Sequence, residues 1–369
     1  MAQRILILTA SFGEGHNAAA RGVRDGLATV APGLAAEAQV EVHDIFAETY
    51  GLANDLVRRA YLGLINRAPD VWSEIYDWLD QEQEVRQRLR VFFPARNRLR
   101  TLLKRFQPDA VVSVFPAYTH LLDEIYGASA PPFCRIVCIT DSISVNAIWT
   151  RGNVDYLLVP NNETAAVLAE VGIAPDRVRV TGFPVTPRFA ELGILREPPS
   201  DSYGRRILYM INPGRVIAPE IIRGLAEIAG TRLTVTVGRE KSLRHAAEEV
   251  RFESGRKFEI VGWTDQLPRL MLESHILISK AGGATVQETI AAGCPMIINQ
   301  IVPGQETGNA RLIKGTHSGV IATTPESIVG AVREAFADDG RLWNEWATNI
   351  SRLSRPRASL EIAEFLRTL

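Results

Sequence analysis

The sequence has few cysteines and no long apolar run. Its three cysteines, Cys134, Cys138 and Cys294, show neither the spacing of metal ligands nor that of a disulfide framework. The apolar runs have the length of strands, so no membrane-spanning helix is predicted. Met1 leads within a few residues into the first predicted strand, without a signal peptide. We therefore expect a cytoplasmic protein whose thiols are buried.

The chain also lacks a marked excess of charge of either sign. Its 369 residues carry a formal net charge of −1, and 22% of them are charged. This is the profile of a soluble globular protein, and the length suits two domains that each bury their own core. Because no recognised nucleic-acid-binding motif occurs either, nucleic acid is not an expected partner.

One stretch, from Val261 to Arg311, points to a phosphate-bearing ligand. The apolar run at 276–278 predicts a buried parallel strand, and Gly282 and Gly283 separate it from a helical pattern. A glycine pair between a strand and a helix lets the backbone approach a phosphate, which the helix N-terminus attracts. Such a pair is also found in ordinary strand-to-helix turns, so the residues that follow decide between the two interpretations.

Those residues complete the pattern of a nucleotide sugar site. Glu288 lies on the same face of the predicted helix as Thr285, where its carboxylate can accept hydrogen bonds from two ribose hydroxyls. After the next strand, Gln305 and Glu306 offer an amide and a carboxylate to sugar hydroxyls. Glu288 alone could be a solvated helix residue. In combination with the glycines, these side chains predict a site for a nucleoside diphosphate sugar.

A second glycine turn follows the first predicted strand. Gly13, Gly15 and His16 stand between the apolar run at 4–10 and an alanine-rich helix. The third glycine of a dinucleotide-binding turn is missing, which argues against an NAD site. An imidazole on such a turn can act as a general base toward an acceptor hydroxyl, or it can serve only as a helix cap or packing residue.

Asp141 is a second candidate for the acceptor site. It ends the strand-like run that contains Cys134 and Cys138. A carboxylate at the carboxyl end of a strand in an open sheet points to the ligand crevice. An aspartate in this position can equally cap a short helix.

Residues 86–105 form a basic stretch with interleaved apolar residues. It holds eight basic residues and no acid. Such a segment suits the surface of an anionic membrane, but it also fits a helix whose arginines are solvated while its phenylalanines fill the core. In the first case, the residues that would contact the membrane are Arg88, Arg90, Phe92, Phe93, Arg96 and Arg98.

The order of strand, glycine turn and helix occurs in both halves of the chain. It predicts an α/β protein of two doubly wound domains that face each other across a cleft. The predicted boundaries are 1–183 for an N-terminal acceptor domain, 184–204 for a proline-rich linker, 205–340 for a donor domain, and 341–369 for C-terminal helices that cross back to the first domain.

These motifs resemble a known family. The order of Gly282-Gly283, Glu288 and Gln305-Glu306, preceded by the turn at 13–16, is similar to GT-B glycosyltransferases. The most similar branch contains the diacylglycerol glycosyltransferases, which are the monogalactosyldiacylglycerol synthases and the processive glucosyl enzymes, together with MurG. The donor-binding residues that the resemblance implies are Gly214, Gly262, Trp263, Leu267, Gly282, Gly283, Ala284, Thr285, Glu288, Gln305 and Glu306.

The resemblance implies an inverting transfer of a hexose from a UDP-sugar to diacylglycerol, by a peripheral protein on the inner face of the cell membrane. His16 would take the proton of the acceptor hydroxyl, with Asp141 in support. No Asp-x-Asp occurs in the chain, so we expect neither an obligatory metal nor a cofactor. The helix dipole at the glycine turn would stabilise the leaving group instead. A MurG-like transferase with another lipid-linked acceptor is one alternative, and a UDP-sugar epimerase or binding protein is the other.

Overall fold

The computed structural model describes residues 3–11, 13–30, 38–51, 93–127, 129–143, 145–199, 204–212, 216–302 and 306–369. They form two compact units. The first consists of Met1–Pro187, Val302–Gly308 and Arg355–Leu369, and the second of Arg188–Ile301 and Asn309–Ser354. Each unit is built on a parallel sheet, so the predicted pair of doubly wound domains is confirmed.

The first unit has a six-stranded sheet in the order β2-β1-β3-β4-β5-β6. Strand β1, which lies between β2 and β3, contains an uninterrupted apolar run with no exposed surface at 5–8, as expected for a parallel strand covered on both faces. The strands are β1 (Gln3–Leu8), β2 (Ala38–His43), β3 (Ala110–Ser113), β4 (Cys134–Cys138), β5 (Tyr156–Val159) and β6 (Val178–Val180).

Helices follow the strands of this sheet. They are α1 (Glu14–Val30), α2 (Ile45–Tyr50), α3 (Phe93–Phe106), α4 (Ala117–Tyr126) and α5 (Asn162–Glu170). A short 3₁₀ turn, Ala147–Trp149, lies between β4 and β5. Helix α3 shows why periodicity predicts packing, because its apolar residues Leu99, Leu102, Leu103 and Phe106 are all buried in the core.

The last helix of the chain, α14 (Ala358–Leu366), packs against α1. The contact depends on small residues. A Cβ atom added at Gly26 would overlap the carbonyl group of Ser359, and one at Gly22 would overlap the carbonyl group of Pro184. At Gly26, helix α1 thus approaches the start of α14 more closely than any side chain would permit, and at Gly22 it approaches Pro184 in the same way.

The second unit has a six-stranded sheet in the order β12-β11-β10-β7-β8-β9. On one face, Leu233, Val235 and Val237 of β8 pack in a core with Ile221 and Ile222. The strands are β7 (Arg205–Met210), β8 (Thr231–Gly238), β9 (Glu259–Gly262), β10 (Ile276–Lys280), β11 (Met296–Gln300) and β12 (Gly319–Ile321).

The helices that follow are α6 (Arg188–Leu192), α7 (Ala218–Ala226), α8 (Lys241–Ser254), α9 (Leu267–Glu273), α10 (Gly283–Ala291), α11 (Thr307–Gly315), α12 (Pro325–Phe336) and α13 (Arg341–Leu353). The segment expected as C-terminal helices at 341–369 is divided between the units. Trp343 and Trp346 of α13 lie in the core of the second unit, whereas α14 belongs to the first. The expected linker at 184–204 is divided as well, since the second unit begins at Arg188.

Candidate functional site

The turn after β1 places His16 at the carboxyl edge of the first sheet. Strand β1 ends at Leu8 and helix α1 begins at Glu14, so His16 stands in the first turn of the helix. The side chains of Asn17 and Asp44 stabilise this turn. Thr9 Oγ1 donates to Asn17 Oδ1 at 3.1 Å, and the Ser11 N–H donates to Asp44 Oδ2 at 2.8 Å. His16 is thus held on an ordered turn.

The contacts of His16 fix which ring nitrogen carries the proton. Nδ1 lies 2.8 Å from the carbonyl oxygen of Val114 and 3.1 Å from Thr140 Oγ1. A carbonyl oxygen can only accept a hydrogen bond, so Nδ1 must donate to it. Nε2 of the neutral ring then keeps its lone pair, which is the form that a general base requires.

Burial keeps the His16 ring neutral. It lowers the pKa of His16 to about 4, and the hydrogen bond to Val114 only partly opposes this shift. The ring also meets the edge of Phe115, with centroids 5.1 Å apart and an interplanar angle of 80°. The imidazole is therefore uncharged near neutral pH and restricted in orientation.

Asp141 does not hold the imidazole directly. Its Oδ2 accepts a hydrogen bond of 2.7 Å from Nε1 of Trp149, whose ring centroid lies 6.2 Å from that of His16. Burial raises the pKa of the Asp141 carboxyl to about 6, although the hydrogen bond from Trp149 acts in the opposite direction. Asp141 thus positions Trp149, whose ring is in turn close to the imidazole.

The structure brings His16 close to the loop that carries Asp141, and it adds groups that the sequence did not single out for this role. Val114, Phe115 and Thr140 surround the ring, and Val114 acts through its backbone. A backbone carbonyl has no residue type that could mark it in a sequence. Thr140 could have been found, because it directly precedes Asp141 at the same strand end.

The donor residues of the second unit centre on the turn after β10. The N–H of Ala281 donates to the Gln300 carbonyl at 2.9 Å, and its carbonyl accepts from Asn309 Nδ2 at 3.1 Å. Helix α10 begins at Gly283, and its N-cap residue Gly282 has no side chain to occupy the helix N-terminus. Gly282, Gly283, Ala284 and Thr285 thus present a fixed backbone with the positive end of a helix dipole.

The surroundings of Gly283 show whether protein packing requires a glycine at this position. Among the described residues, an added Cβ atom would meet Asn309 Nδ2 at 3.9 Å, which is an ordinary contact. The packing of the described residues therefore does not require glycine at this position. Glu288, one turn further along α10, is half-buried on this helix.

The loop after β9 carries the other predicted donor residues. Gly262 ends the strand, and a Cβ atom there would lie 2.8 Å from the guanidinium of Arg244. Trp263 is 65% exposed, and Leu267 opens helix α9. This loop lies at the same carboxyl edge of the second sheet as the glycine turn.

Glu306 forms a hydrogen bond within its own loop. It is buried, and its Oε2 accepts a hydrogen bond of 3.0 Å from the N–H of Val302. Its predicted contact with the hexose remains a prediction. The predicted donor residues Gly214 and Gln305 lie outside the described residues. On the acceptor side, Gly13 and Gly15 flank the start of α1 as expected.

In the described part of the basic stretch, Arg96 and Arg98 form ion pairs. Arg96 approaches Glu124 at 3.3 Å, and Arg98 approaches Glu48 at 2.7 Å. Phe93 is 53% exposed and lies under the Arg96 guanidinium. Phe93 is thus open to solvent, while the two arginines help to hold α3. Arg88, Arg90 and Phe92 lie outside the described residues.

The described residues contain neither a membrane-spanning helix nor a cluster of metal ligands. None of their helices combines the length and the apolar character needed to cross a membrane. No group of three or more histidine, cysteine or acidic side chains among them is arranged to hold a metal ion.

Two protein families match this chain. Residues 16–185 match monogalactosyldiacylglycerol (MGDG) synthase, and residues 218–320 match the glycosyltransferase family 28 C-terminal domain. MurG from Acinetobacter baumannii superposes with a TM-score of 0.64 at 13% identity, over 100% of both chains. The fold is therefore GT-B, and the class of protein is a glycosyltransferase.

Two curated relatives narrow this class. The processive diacylglycerol beta-glucosyltransferase of Bacillus subtilis (strain 168) is 24% identical over 369 residues, which cover 98% of this chain and 94% of the relative. The probable monogalactosyldiacylglycerol synthase 2, chloroplastic, of Oryza sativa subsp. japonica is 25% identical over 386 residues, covering 100% and 81%. The predicted resemblance to the diacylglycerol glycosyltransferase group is confirmed.

Proposed function

We propose that this protein transfers a hexose from a UDP-sugar to a hydroxyl group of diacylglycerol, with inversion at the anomeric carbon. The substrates follow the names of its relatives, which are diacylglycerol glucosyltransferases and a monogalactosyldiacylglycerol synthase. The observation that carries the proposal is the neutral His16, whose Nδ1 proton is held by Val114. This arrangement supplies a base for an alcohol acceptor.

On the acceptor side, His16 Nε2 takes the proton from the glycerol hydroxyl as its oxygen attacks the anomeric carbon. The imidazolium that forms keeps its Nδ1 hydrogen bond to the Val114 carbonyl, which favours the positive charge. An ionised Asp141, which accepts a hydrogen bond from Trp149 near the imidazole, adds electrostatic support. The new bond joins the acceptor oxygen to the sugar.

On the donor side, the bond between the anomeric carbon and the diphosphate oxygen breaks, and UDP leaves with its electron pair. The backbone N–H groups at the start of α10 are fixed before the reaction, because Gln300 and Asn309 anchor Ala281. Such preorganised donors stabilise the charge that develops on the leaving oxygen. Glu288 would hold the ribose hydroxyls, and Gln305 with Glu306 would hold the hexose.

A lipid acceptor implies work at a membrane surface, and we propose peripheral binding to an anionic membrane through the basic stretch. Within the described residues, Phe93 is the exposed apolar member of this stretch. Aromatic side chains beside arginines suit the boundary between headgroups and acyl chains. The partners in this proposal are thus a UDP-sugar, diacylglycerol and an anionic membrane surface.

The experiment is a measurement of UDP release from UDP-glucose, UDP-galactose and UDP-N-acetylglucosamine. Each donor is tested with vesicles that contain an anionic phospholipid, with or without diacylglycerol. Release that requires diacylglycerol, together with a new glycolipid on chromatography, is the expected result and identifies the sugar. Transfer to an undecaprenyl-linked acceptor alone would support the MurG-like alternative. Lipid-independent release of UDP and free sugar would support an epimerase.

A further inference from the structure

A pocket opens at the amino edge of the second sheet, on the side away from the glycine turn. Its volume is about 480 Å³, and it is lined by residues at the starts of β7, β8 and β9 and at the end of α9. A volume of this size suits a small organic ligand. Within β8, Arg232 at this edge is six residues from Gly238 at the carboxyl edge, a span of about 20 Å. The pocket is therefore separate from the donor site.

Three basic residues, Arg206, Arg232 and Lys257, form a row across this edge, which we call the cation row. In the parallel ladders, Arg206 pairs with Arg232, and Thr234 pairs with Glu259. Arg232 and Lys257 each stand two positions before one member of this second pair. The same register therefore brings Lys257 beside Arg232. All three basic residues line the pocket.

The cation row lies on the face of the strands that is turned away from the main core of the unit. Ile207 of β7 and Leu233 of β8 are buried in that core. Successive side chains of a strand alternate between its two faces, so Arg206 and Arg232 point to the opposite face. Arg232 and Lys257 are both exposed. A ligand can therefore reach these two cations from solvent.

The carboxylates of the pocket neutralise only part of its positive charge. Glu273 Oε2 accepts from Arg206 Nη1 at 3.3 Å, and Glu273 Oε1 accepts from Arg269 Nε at 2.8 Å. Glu273 is thus shared between two arginines. The other carboxylate, Glu259, accepts from Thr234 Oγ1 at 3.2 Å.

Arg232 and Lys257 are the cations that remain for a ligand. Neither forms an ion pair with another described residue. Like charges directly opposite each other on neighbouring strands repel, and Arg232 has a cation on either side. A bound anion would remove this repulsion. A guanidinium next to an ammonium offers several N–H donors to the oxygens of a single phosphate group.

We infer that this pocket is a second anion site, which binds the phosphate group of a phosphate ester between Arg232 and Lys257. Arg206 adds positive charge from the neighbouring strand, and the organic part of the ester occupies the remaining volume beside Leu270. The inference goes beyond the proposed function, which assigns neither of its substrates to this edge. The phosphate group can belong to a soluble ester or to the headgroup of a phospholipid, and the experiment distinguishes these sources.

Titration of glycerol 3-phosphate tests the site with a soluble ester. The ester is titrated by calorimetry at low ionic strength into the wild type and the variants. We expect Arg232→Gln to weaken binding about tenfold, the equivalent of one charge-assisted hydrogen bond. Lys257→Gln should weaken it about 2- to 5-fold, as for an exposed charge pair. Glu259→Gln removes a negative charge from the pocket and should tighten binding by a similar factor, about 2- to 5-fold.

Matched controls remove one exposed positive charge elsewhere in the second unit. Arg333→Gln in α12 and Lys314→Gln in α11 should bind the ester like the wild type. Gly283→Ala alters the donor turn and should also bind it normally. A stabilising effect of the ester on the melting temperature, lost in Arg232→Gln, provides a second measurement. Equal losses in the control variants would indicate a general charge effect and would overturn the inference.

Vesicle binding identifies the source of the phosphate group. The same variants are sedimented with phosphatidylcholine vesicles that contain or lack phosphatidylglycerol. Ester binding that depends on Arg232, with vesicle binding that does not, assigns a soluble ester to the pocket. Phosphatidylglycerol-dependent sedimentation that is weaker in Arg232→Gln and Lys257→Gln, but not in the controls, assigns a lipid headgroup. If neither assay depends on these two residues, the inference is wrong, whether or not the protein transfers a sugar.

Discussion

The two units use the same local structure in opposite ways. In the first unit, the turn after β1 carries His16, which the protein surrounds with Val114, Thr140 and Phe115. In the second unit, the turn after β10 presents backbone, and a Cβ atom at Gly283 would meet one atom of the described residues, at an ordinary contact distance. The first turn thus positions a side chain, whereas the second presents the backbone at the start of a helix. The difference matches a base on the acceptor side and an anion site on the donor side.

Removing the His16 imidazole should have the largest effect. We expect His16→Ala to lower kcat about 10²- to 10⁴-fold, the usual contribution of a general base, and to leave UDP affinity unchanged. The matched control is His245→Ala, which removes an exposed histidine of α8. Initial rates and UDP titrations provide the measurement. Near-normal turnover of His16→Ala would remove this residue from the mechanism.

Filling the space at the donor turn should have the next largest effect. We expect Gly283→Ala to raise the KM for UDP-sugar about tenfold, the equivalent of one lost charge-assisted hydrogen bond. The melting temperature should not fall, because the added methyl group meets the protein only at 3.9 Å. Gly330→Ala in α12, where a Cβ atom meets nothing within 4 Å, is the control. Unchanged KM in Gly283→Ala would contradict an anion site at this turn.

The pH dependence of kcat/KM tests the roles of His16 and Asp141 in the first unit. His16, with a pKa of about 4, can accept a proton above that pH, whereas Asp141 ionises only above about pH 6. We expect kcat/KM to fall below about pH 6, because ionised Asp141 supports the imidazolium. In Asp141→Asn, the amide oxygen can still accept from Trp149, and the fall should move toward pH 4 with a lower plateau. The same acid limb in both proteins would exclude Asp141 from this role.

The same two groups affect stability in opposite directions. Burial disfavours the charged form of His16, so its neutral state stabilises the fold at pH 6.5 and above, and this contribution is lost as the pH falls toward 4. The raised pKa of Asp141 favours the fold below pH 3.8, and this contribution is lost as the pH rises through about 6. Denaturant titrations at pH 4 to 7 of the wild type, His16→Ala and Asp141→Asn measure the two contributions. A wild type and Asp141→Asn variant with parallel pH curves would contradict the second.

Metal removal should have the smallest effect. The chain contains no Asp-x-Asp, and we assign the charge of the leaving diphosphate to the N-terminus of α10. Activity after extensive dialysis against EDTA should therefore stay within about twofold of the starting value. Loss of activity on dialysis that returns with Mg²⁺ would show that the glycine turn needs an ion.

Sequence patterns predicted the parts of the fold that depend on neighbouring residues. The apolar run at 276–278 and the following glycines predicted β10, its turn and the start of α10, because strand, turn and helix signals are local. The same holds for β1 and the His16 turn. These local signals are sufficient to place the main candidate residues at the carboxyl ends of strands.

The remainder depends on contacts between distant residues. The Val114 carbonyl that selects the tautomer of His16 is 98 positions away, and the Glu48 that pairs with Arg98 is 50 positions away. Local composition favoured a free basic surface for this arginine, because its acidic partner lies on another helix. Asp141 shows the same limit at a shorter range, since its carboxylate accepts from Trp149, eight positions away across an irregular loop.

The close contact of α1 with α14 has a consequence for the order in which the protein can fold during synthesis. Gly26 on α1 is synthesised 333 positions before Ser359, whose carbonyl group covers it. The second unit, by contrast, ends at Ser354. Because domains generally fold as units during translation, the second unit can be complete while the first still awaits its last helix.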